Sequence, residues 1–463
     1  MKDHTRGRPQ VVGVGRNRTE ANGGTVTVRI DALAAGGRGV GRVDGKVWFV
    51  RAGLPGDTVR AVALRSHRSH VDAAAVEILS PSSARRKPPC PYAHRCGGCP
   101  LMPLRDDVQR ELKVGLLREA LERIARLPLP AIEAVRCPSP PLGYRNRVEF
   151  AARGGGSRSA LVGLHGAGGA ELVDIERCLL QDDAANAVLR STREFLSSRR
   201  VGEGPAFALR LGIRRGPASS ELLVTLREAG PRRFRDGPAL ARFLSERHDR
   251  LVGVVELRAP SAGRGGVRTH VLAGRDWLEE RSGALRVELP AASFAQVSEE
   301  GAAELVRLVG EMAGPHPLGS VVDLYGGLGL FGMELARAGA ERVTVCDADA
   351  DAVEAGRRIA AAAGMSRVHH IHADAAAFVA SAELGRPDVV VANPPRGGLA
   401  REVVRALGEL APRLLILVSC DAATLARDLG RLARGGTYRV ERIVPVDLFP
   451  QTAHLEAVVR LAR

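Results

Sequence analysis

The chain has 463 residues, 45% of them hydrophobic and 26% charged, which is the balance of a globular protein and excludes a disordered or fibrous one. It is too long for a single hydrophobic core, so two or more domains are expected. No apolar run of about 18 residues occurs, and the start (Met1-Lys2-Asp3-His4-Thr5-Arg6) has no apolar stretch. That disfavours a membrane span or secretory leader and makes the cytoplasm the expected compartment.

The net charge of +15 is unevenly spread. Residues 1–100 carry 17 Lys/Arg against 7 Asp/Glu, whereas residues 291–463 carry 18 against 21. This points to an N-terminal half that holds a polyanion such as RNA and a C-terminal part with another task. An arginine-rich solvated surface is the plainer alternative, because lysines number only four, with none after Lys113.

In chain order, residues 1–20 read as a basic, loose tail. Residues 21–80 hold short β-rich runs (Thr25–Ile30, Lys46–Val50, Thr58–Leu64) separated by Gly36-Gly37-Arg38-Gly39 and Pro55-Gly56-Asp57, the pattern of a small closed barrel. Residues 81–134 contain a Pro/Cys-rich knot and a helical stretch near 105–127. Residues 135–290 read as a mostly β domain with one helix near 182–197. Residues 291–463 alternate strands (319–325, 342–347, 367–372, 387–393, 413–420) with helices (331–339, 350–363, 374–382, 399–410, 422–434), which means a parallel, doubly wound sheet. Two extended runs, Tyr438–Val446 and Leu455–Leu461, close the chain as a hairpin.

The chemistry-bearing motifs fall at the C-terminal edge of that sheet. Asp323-Leu324-Tyr325-Gly326-Gly327-Leu328-Gly329 gives a strand end followed by close glycines, where a ligand can approach the backbone. Asp347 ends the next strand and suits two ribose hydroxyls; Asp374 follows the third and suits an adenine amino group. A helix N-cap is the competing reading for either Asp. With no run suited to pyrophosphate, a nucleoside ligand such as S-adenosylmethionine fits at least as well as a dinucleotide. The fourth strand leads to Asn393-Pro394-Pro395-Arg396, a rigid turn. An aromatic residue at the fourth place would indicate amine-directed methyl transfer, and Arg396 argues against it. The fifth strand delivers Cys420, whose thiolate can attack an electron-poor ring carbon, and the hairpin returns Glu456 as a base. A buried structural thiol and an exposed strand carboxylate are the plain alternatives.

Of the other six cysteines, Cys90, Cys96 and Cys99 form a ligand loop. Cys178 is the chosen fourth ligand, and four thiolates suit either zinc or a [4Fe–4S] cluster. Cys137 and Cys346 read as packing residues.

Together these features resemble the RNA 5-methyluridine methyltransferase family over nearly the whole chain. The barrel, with Gly36-Gly37-Arg38-Gly39-Val40 and Phe49 through Asp57, looks like its TRAM domain, an OB-type RNA-binding module. Tyr144-Arg145-Asn146-Arg147 matches the start of the family's central RNA-contacting domain. The resemblance implies a multidomain α/β chain: a TRAM barrel, a central mostly-β domain with an iron–sulfur loop, and a class I (Rossmann-like) methyltransferase domain. It further implies that Cys90, Cys96, Cys99 and Cys178 hold a [4Fe–4S] cluster, with zinc the alternative. Ser293-Phe294-Ala295-Gln296-Val297 looks like the segment facing base and cofactor, and Gln296, Tyr325, Asp347 and Asn393 fall on cofactor-site positions. Cys420 and Glu456 fall on the nucleophile and base. The implied substrate is RNA, 23S ribosomal RNA before tRNA, acted on by a cytoplasmic monomer.

The sequence departs from the family pattern at Ser298 (commonly Asn), Gly326 (commonly Cys), Leu330 (commonly more polar) and Asn393 (commonly Asp). Ser298 and Leu330 keep open an RNA-binding protein with a degenerate methyltransferase domain, against which the Cys420 and Glu456 pair speaks.

Overall fold

The computed structural model describes residues 24–155, 158–198, 206–216, 218–230, 234–258, 267–282, 285–315, 318–381, 385–434 and 436–463. The expected basic tail, 1–20, lies outside the described residues. The chain divides into two compact units. The smaller comprises residues 1–116, 163–175 and 449–454; the larger comprises 117–162, 176–448 and 455–463.

In the smaller unit, six strands form one curled sheet: β1 (Val26–Arg29), β2 (Ala32–Ala34), β3 (Arg38–Val43), β4 (Lys46–Arg51), β5 (Thr58–Ser66) and β6 (His70–Ser80), in the order β1-β5-β6-β4-β3-β2. The curl closes where Asp31 N–H donates to the Val40 carbonyl at 2.8 Å. Gly41 is required there, since a Cβ would lie 2.2 Å from the Arg29 carbonyl oxygen. Val28, Ile30, Trp48, Val50, Val59, Val71 and Ile78 fill the interior. A second cluster, Leu33, Leu54, Leu101 and Leu104, packs with Val108, Leu112 and Leu116 of the first helix. That helix, α1 (Asp106–Ala120), ends sooner than the expected 105–127, passing into a π-turn over Leu121–Ala125 that closes on Arg126 at φ 55°.

In the larger unit, β7 (Arg147–Gly155), β10 (Phe207–Arg215), β11 (Leu222–Glu228), β12 (Leu251–Arg258) and β13 (Arg268–Gly274) form a sheet in the order β13-β12-β11-β10-β7, extended by β8 (Arg158–His165). The last three residues of β8 pair with β9 (Leu172–Asp174) in the smaller unit. A hairpin follows, β14 (Trp277–Ser282) with β15 (Leu285–Pro290). Among the described residues two helices serve this region. The expected one is α2 (Asp183–Ser197); α3 (Gly237–Ser245) was not foreseen, being nine residues long and opened by a proline.

The rest of this unit is a seven-stranded sheet, β18-β17-β16-β19-β20-β22-β21, built from β16 (Ser320–Leu324), β17 (Arg342–Asp347), β18 (Val368–His372), β19 (Val389–Ala392), β20 (Leu414–Ser419), β21 (Arg439–Val446) and β22 (Glu456–Ala462). The first five are mutually parallel, and β22 runs antiparallel between β20 and β21. Every residue of β19 and β20 is buried, which explains their unbroken apolar sequence. Helices α4 (Glu299–Ala313), α5 (Leu330–Arg337), α6 (Ala350–Ala362), α7 (Ala375–Val379), α8 (Arg401–Leu410) and α9 (Ala422–Ala433) connect or flank the strands. Ser298, Asp349, Asp374 and Asp421 cap four of them through their side chains. This is the class I, Rossmann-like fold. No helix among the described residues is long and apolar enough to cross a membrane.

Candidate active site and cluster loop

The larger unit holds all seven anticipated catalytic and cofactor-site residues, six of them at strand ends of one sheet or in the turns that follow. At the tip of β16, Tyr325 holds a left-handed φ of 58°, and Gly327 and Gly329 follow at 55° and 84°. Only glycine takes such angles without strain. A Cβ on Gly326 would fall 2.6 Å from Val345 and within 3.0 Å of the Asp323 carboxylate, so the loop lies tight on the sheet. Asp347 fixes it: Oδ2 accepts from Gly327 N–H and Oδ1 from Asp349 N–H, both at 2.8 Å. Each of these oxygens keeps a second lone pair, so the half-buried carboxylate suits a ribose diol. Beneath the loop, Asp323 is fully buried. Burial, then the neighbouring Asp347 charge, push its carboxyl up to about 7 against one Gly332 N–H bond.

Asp374 is the N-cap of α7, its Oδ1 accepting from Ala376 and Ala377 N–H. The capping reading therefore describes its bonds, and the exposed carboxylate lies at the same edge as Asp347. Burial and the Asp374 and Asp428 charges push the Tyr325 phenol up to about 12, so it stays a neutral donor. Asn393 is half-buried, with its N–H bonded to the Leu324 carbonyl at 3.3 Å. Gln296, also half-buried, precedes α4.

Cys420 follows β20 directly, and Glu456 opens β22. The antiparallel register pairs Ser419 with Ala457, so the next step places Cys420 opposite Glu456. Glu456 is only 3% exposed, and burial pushes its carboxyl up to about 8. Burial, then the Glu456 charge, raise the Cys420 thiol, with the Arg396 guanidinium opposing both shifts. The backbone after Arg396 is held by helix α9: Thr424 Oγ1 donates to the Arg396 carbonyl at 3.2 Å, Arg427 Nη2 donates to the Gly397 carbonyl at 2.8 Å, and Asp428 Oδ2 accepts from Leu399 N–H at 2.7 Å. Residues 424, 427 and 428 share one helix face, a grip on backbone groups that leaves no signal in the sequence. Cys346, by contrast, is fully buried with its thiol pushed up to about 12 by burial, as befits packing.

In the smaller unit, Cys90, Cys96 and Cys99 stand half-buried on one loop. Cys96 N–H donates to the Tyr92 carbonyl at 2.8 Å, and Gly98 N–H points to Cys96 Sγ at 3.4 Å. A Cβ on Gly97 would fall 3.0 Å from the Ala167 backbone, which leaves little room for a side chain. Cys178 belongs to the larger unit, where fully buried Asn186 brackets its backbone, accepting from Cys178 N–H at 2.8 Å and donating to its carbonyl at 3.1 Å. Within the smaller unit the half-buried sulfurs of Cys90 and Cys96 receive backbone N–H bonds, the surroundings that a thiolate metal ligand takes. The smaller unit also contains a cavity of about 1160 Å³ with Arg38, Arg51, Arg85, Arg86, Lys87 and Arg95 on its wall. Nearby, His67, His70 and Asp72 cluster within 4.8 Å, but Arg38 pairs with Asp72 at 2.7 Å, so the group reads as an ion-pair network at a strand turn.

Strand order, glycine loop and edge residues define a class I methyltransferase domain attached to a basic barrel. Family comparisons agree: a TRAM domain matches residues 20–75 and a Methyltransferase small domain matches 297–415. The chain is 35% identical to the uncharacterized RNA methyltransferase gll3134 of Gloeobacter violaceus, over 95% of this chain and 97% of that one. It is 33% identical to the 23S rRNA (uracil(1939)-C(5))-methyltransferase RlmD of Pseudomonas aeruginosa, over 93% and 92%. Its fold matches the crystal structure of Pyrococcus abyssi tRNA (uracil-54, C5)-methyltransferase in complex with S-adenosyl-L-homocysteine with a TM-score of 0.71, at 23% identity, over 94% of this chain and all of that one. The chain belongs to the RNA uracil-C5 methyltransferase family.

Proposed function

We propose that this protein is an S-adenosylmethionine-dependent enzyme that forms 5-methyluridine in 23S ribosomal RNA, acting in the cytoplasm as a monomer. The observation that carries the reading is the opposition of Cys420 and Glu456 at the same sheet edge as the glycine loop and Asn393. The 23S preference is supported by the similarity to RlmD.

S-adenosylmethionine, when bound, supplies an electrophilic methyl group; Asp347, Asp374, Tyr325, Gln296 and Asn393 would hold it. The target uridine leaves its stack to enter the pocket, while arginines of the barrel cavity neutralise phosphates. The Cys420 thiolate would add to uracil C6 as the C5=C6 electron pair moves to C5, and C5 would take the methyl group while the donor's methyl–sulfur bond breaks and the pair stays on sulfur as the departing thioether. Glu456 then removes the C5 proton, the double bond reforms, and the Cys420 thiolate departs. A Glu456 carboxyl near 8 suits proton abstraction at neutral pH. Cys90, Cys96, Cys99 and Cys178 would hold a [4Fe–4S] cluster with a structural or RNA-ordering role.

Mapping 5-methyluridine in RNA from cells lacking the protein tests this assignment. Loss at a 23S position is expected; loss in tRNA alone would redirect the substrate, and an unchanged map would overturn the reading. Protein purified without oxygen is expected to carry four irons that Cys178→Ser removes; zinc in their place would overturn the cluster assignment.

A further inference from the structure

Arg214, near the end of β10, is almost completely buried, at 4% exposure. Its guanidinium spends both terminal nitrogens on one loop. Nη1 donates to the Pro290 carbonyl at 2.9 Å and Nη2 to the Ser293 carbonyl at 2.6 Å. These carbonyls bracket the entry to the segment that carries Phe294 and Gln296. The exit is tied as well: the Val297 carbonyl accepts from Asn146 N–H at 2.9 Å, and Ser298 Oγ lies 2.8 Å from Ser139 Oγ. Between these ties Phe294 stands 66% exposed. A large aromatic ring held in water on a braced loop gains nothing for the fold, whereas a pre-ordered ring binds a flat partner with little loss of freedom.

Burying an arginine is costly unless its charge and donors are met. Glu280, on β14, supplies the opposing charge. Burial and the adjacent Arg147 charge still lower the Arg214 group to about 9, and Glu280 is pushed up to about 8 by burial and Glu299. A guanidinium buried at this cost beside a loop marks a place where an apolar residue would serve stability better.

We propose that Arg214 is a positioning residue for methyl transfer, fixing the Pro290–Val297 loop so that Phe294 and Gln296 are presented to the target base and the methyl donor. This rests on the reading of Phe294 and Gln296 as pocket residues, and the two claims separate experimentally. Phe294→Ala and Gln296→Ala test the loop; Arg214→Lys and Arg214→Met test its brace. Lys keeps the charge but cannot span both carbonyls.

Expected for Arg214→Lys is a roughly tenfold or greater fall in the single-turnover methylation rate, as small misplacements of reacting groups produce. RNA affinity should stay within about twofold of wild type, and hydrogen exchange should quicken at residues 291–297 but not along β10 and β11. Arg214→Met should lose more. Wild-type rates in both Arg214 variants, with Phe294→Ala and Gln296→Ala impaired, would overturn the proposal and leave the loop reading intact. Wild-type rates in Phe294→Ala and Gln296→Ala would overturn the loop reading itself. Exchange that quickens evenly across the central sheet would show Arg214 to be a structural residue and also overturn the proposal.

Discussion

Cys420 and Glu456 face one another across the β20–β22 pair, one step beyond Ser419 and Ala457. Burial favours the neutral form of both groups, and the Glu456 charge further disfavours the Cys420 thiolate. The charge that draws them toward their working forms is Arg396, which lowers both.

The proposed chemistry uses a thiolate and a carboxylate, both deprotonated. The rate under kcat/KM conditions should therefore rise with pH through about 8 rather than plateau at 6. Arg396→Met removes the opposing charge and should move this rise to higher pH, while Arg396→Lys should move it less. A pH–rate profile of the three proteins checks the order.

A raised carboxyl also has a stability signature. Because the folded-state value of Glu456 lies near 8, above the ordinary 4.5, its burial is cheapest when protonated. Stability is then fully present below about pH 4.5 and declines as pH rises toward 8. Glu456→Gln removes this decline. The variant should melt higher than wild type at pH 8, by up to a few kcal/mol of unfolding free energy, and show little difference at pH 5. Denaturant titration at the two pH values measures it.

Asp347 accepts one backbone N–H on each oxygen and shapes the glycine loop. Asp347→Ala should weaken S-adenosylmethionine binding about 10- to 100-fold, the worth of one or two charged hydrogen bonds, with RNA affinity unaltered. Calorimetric titration with the cofactor reads both the affinity and the stoichiometry.

Much of the C-terminal sheet was legible because β19 and β20 are buried on both faces and read as continuous apolar runs, while Asp349, Asp374 and Asp421 mark helix starts. The same capping signal is why Asp374 supported two readings: a carboxylate at a helix start can serve the backbone, a ligand or both. Helix α3 escaped because nine residues offer few turns of apolar period. Arg214, Asn186 and Asp428 escaped for another reason. Each bonds backbone groups, Arg214 across 79 residues and Asp428 across 29, and a carbonyl or N–H leaves no trace in side-chain identity. Even Glu456, placed correctly at a strand start, gave no hint of its burial, which arises only when β22 is inserted between β20 and β21.

The most direct test of the two-residue chemistry is denaturing electrophoresis of Glu456→Gln incubated with substrate RNA and S-adenosylmethionine. With the base removed, the methylated uridine should stay joined to Cys420, giving a protein–RNA band that Cys420→Ala abolishes. Absence of that band together with normal 5-methyluridine formation by either variant would contradict the account.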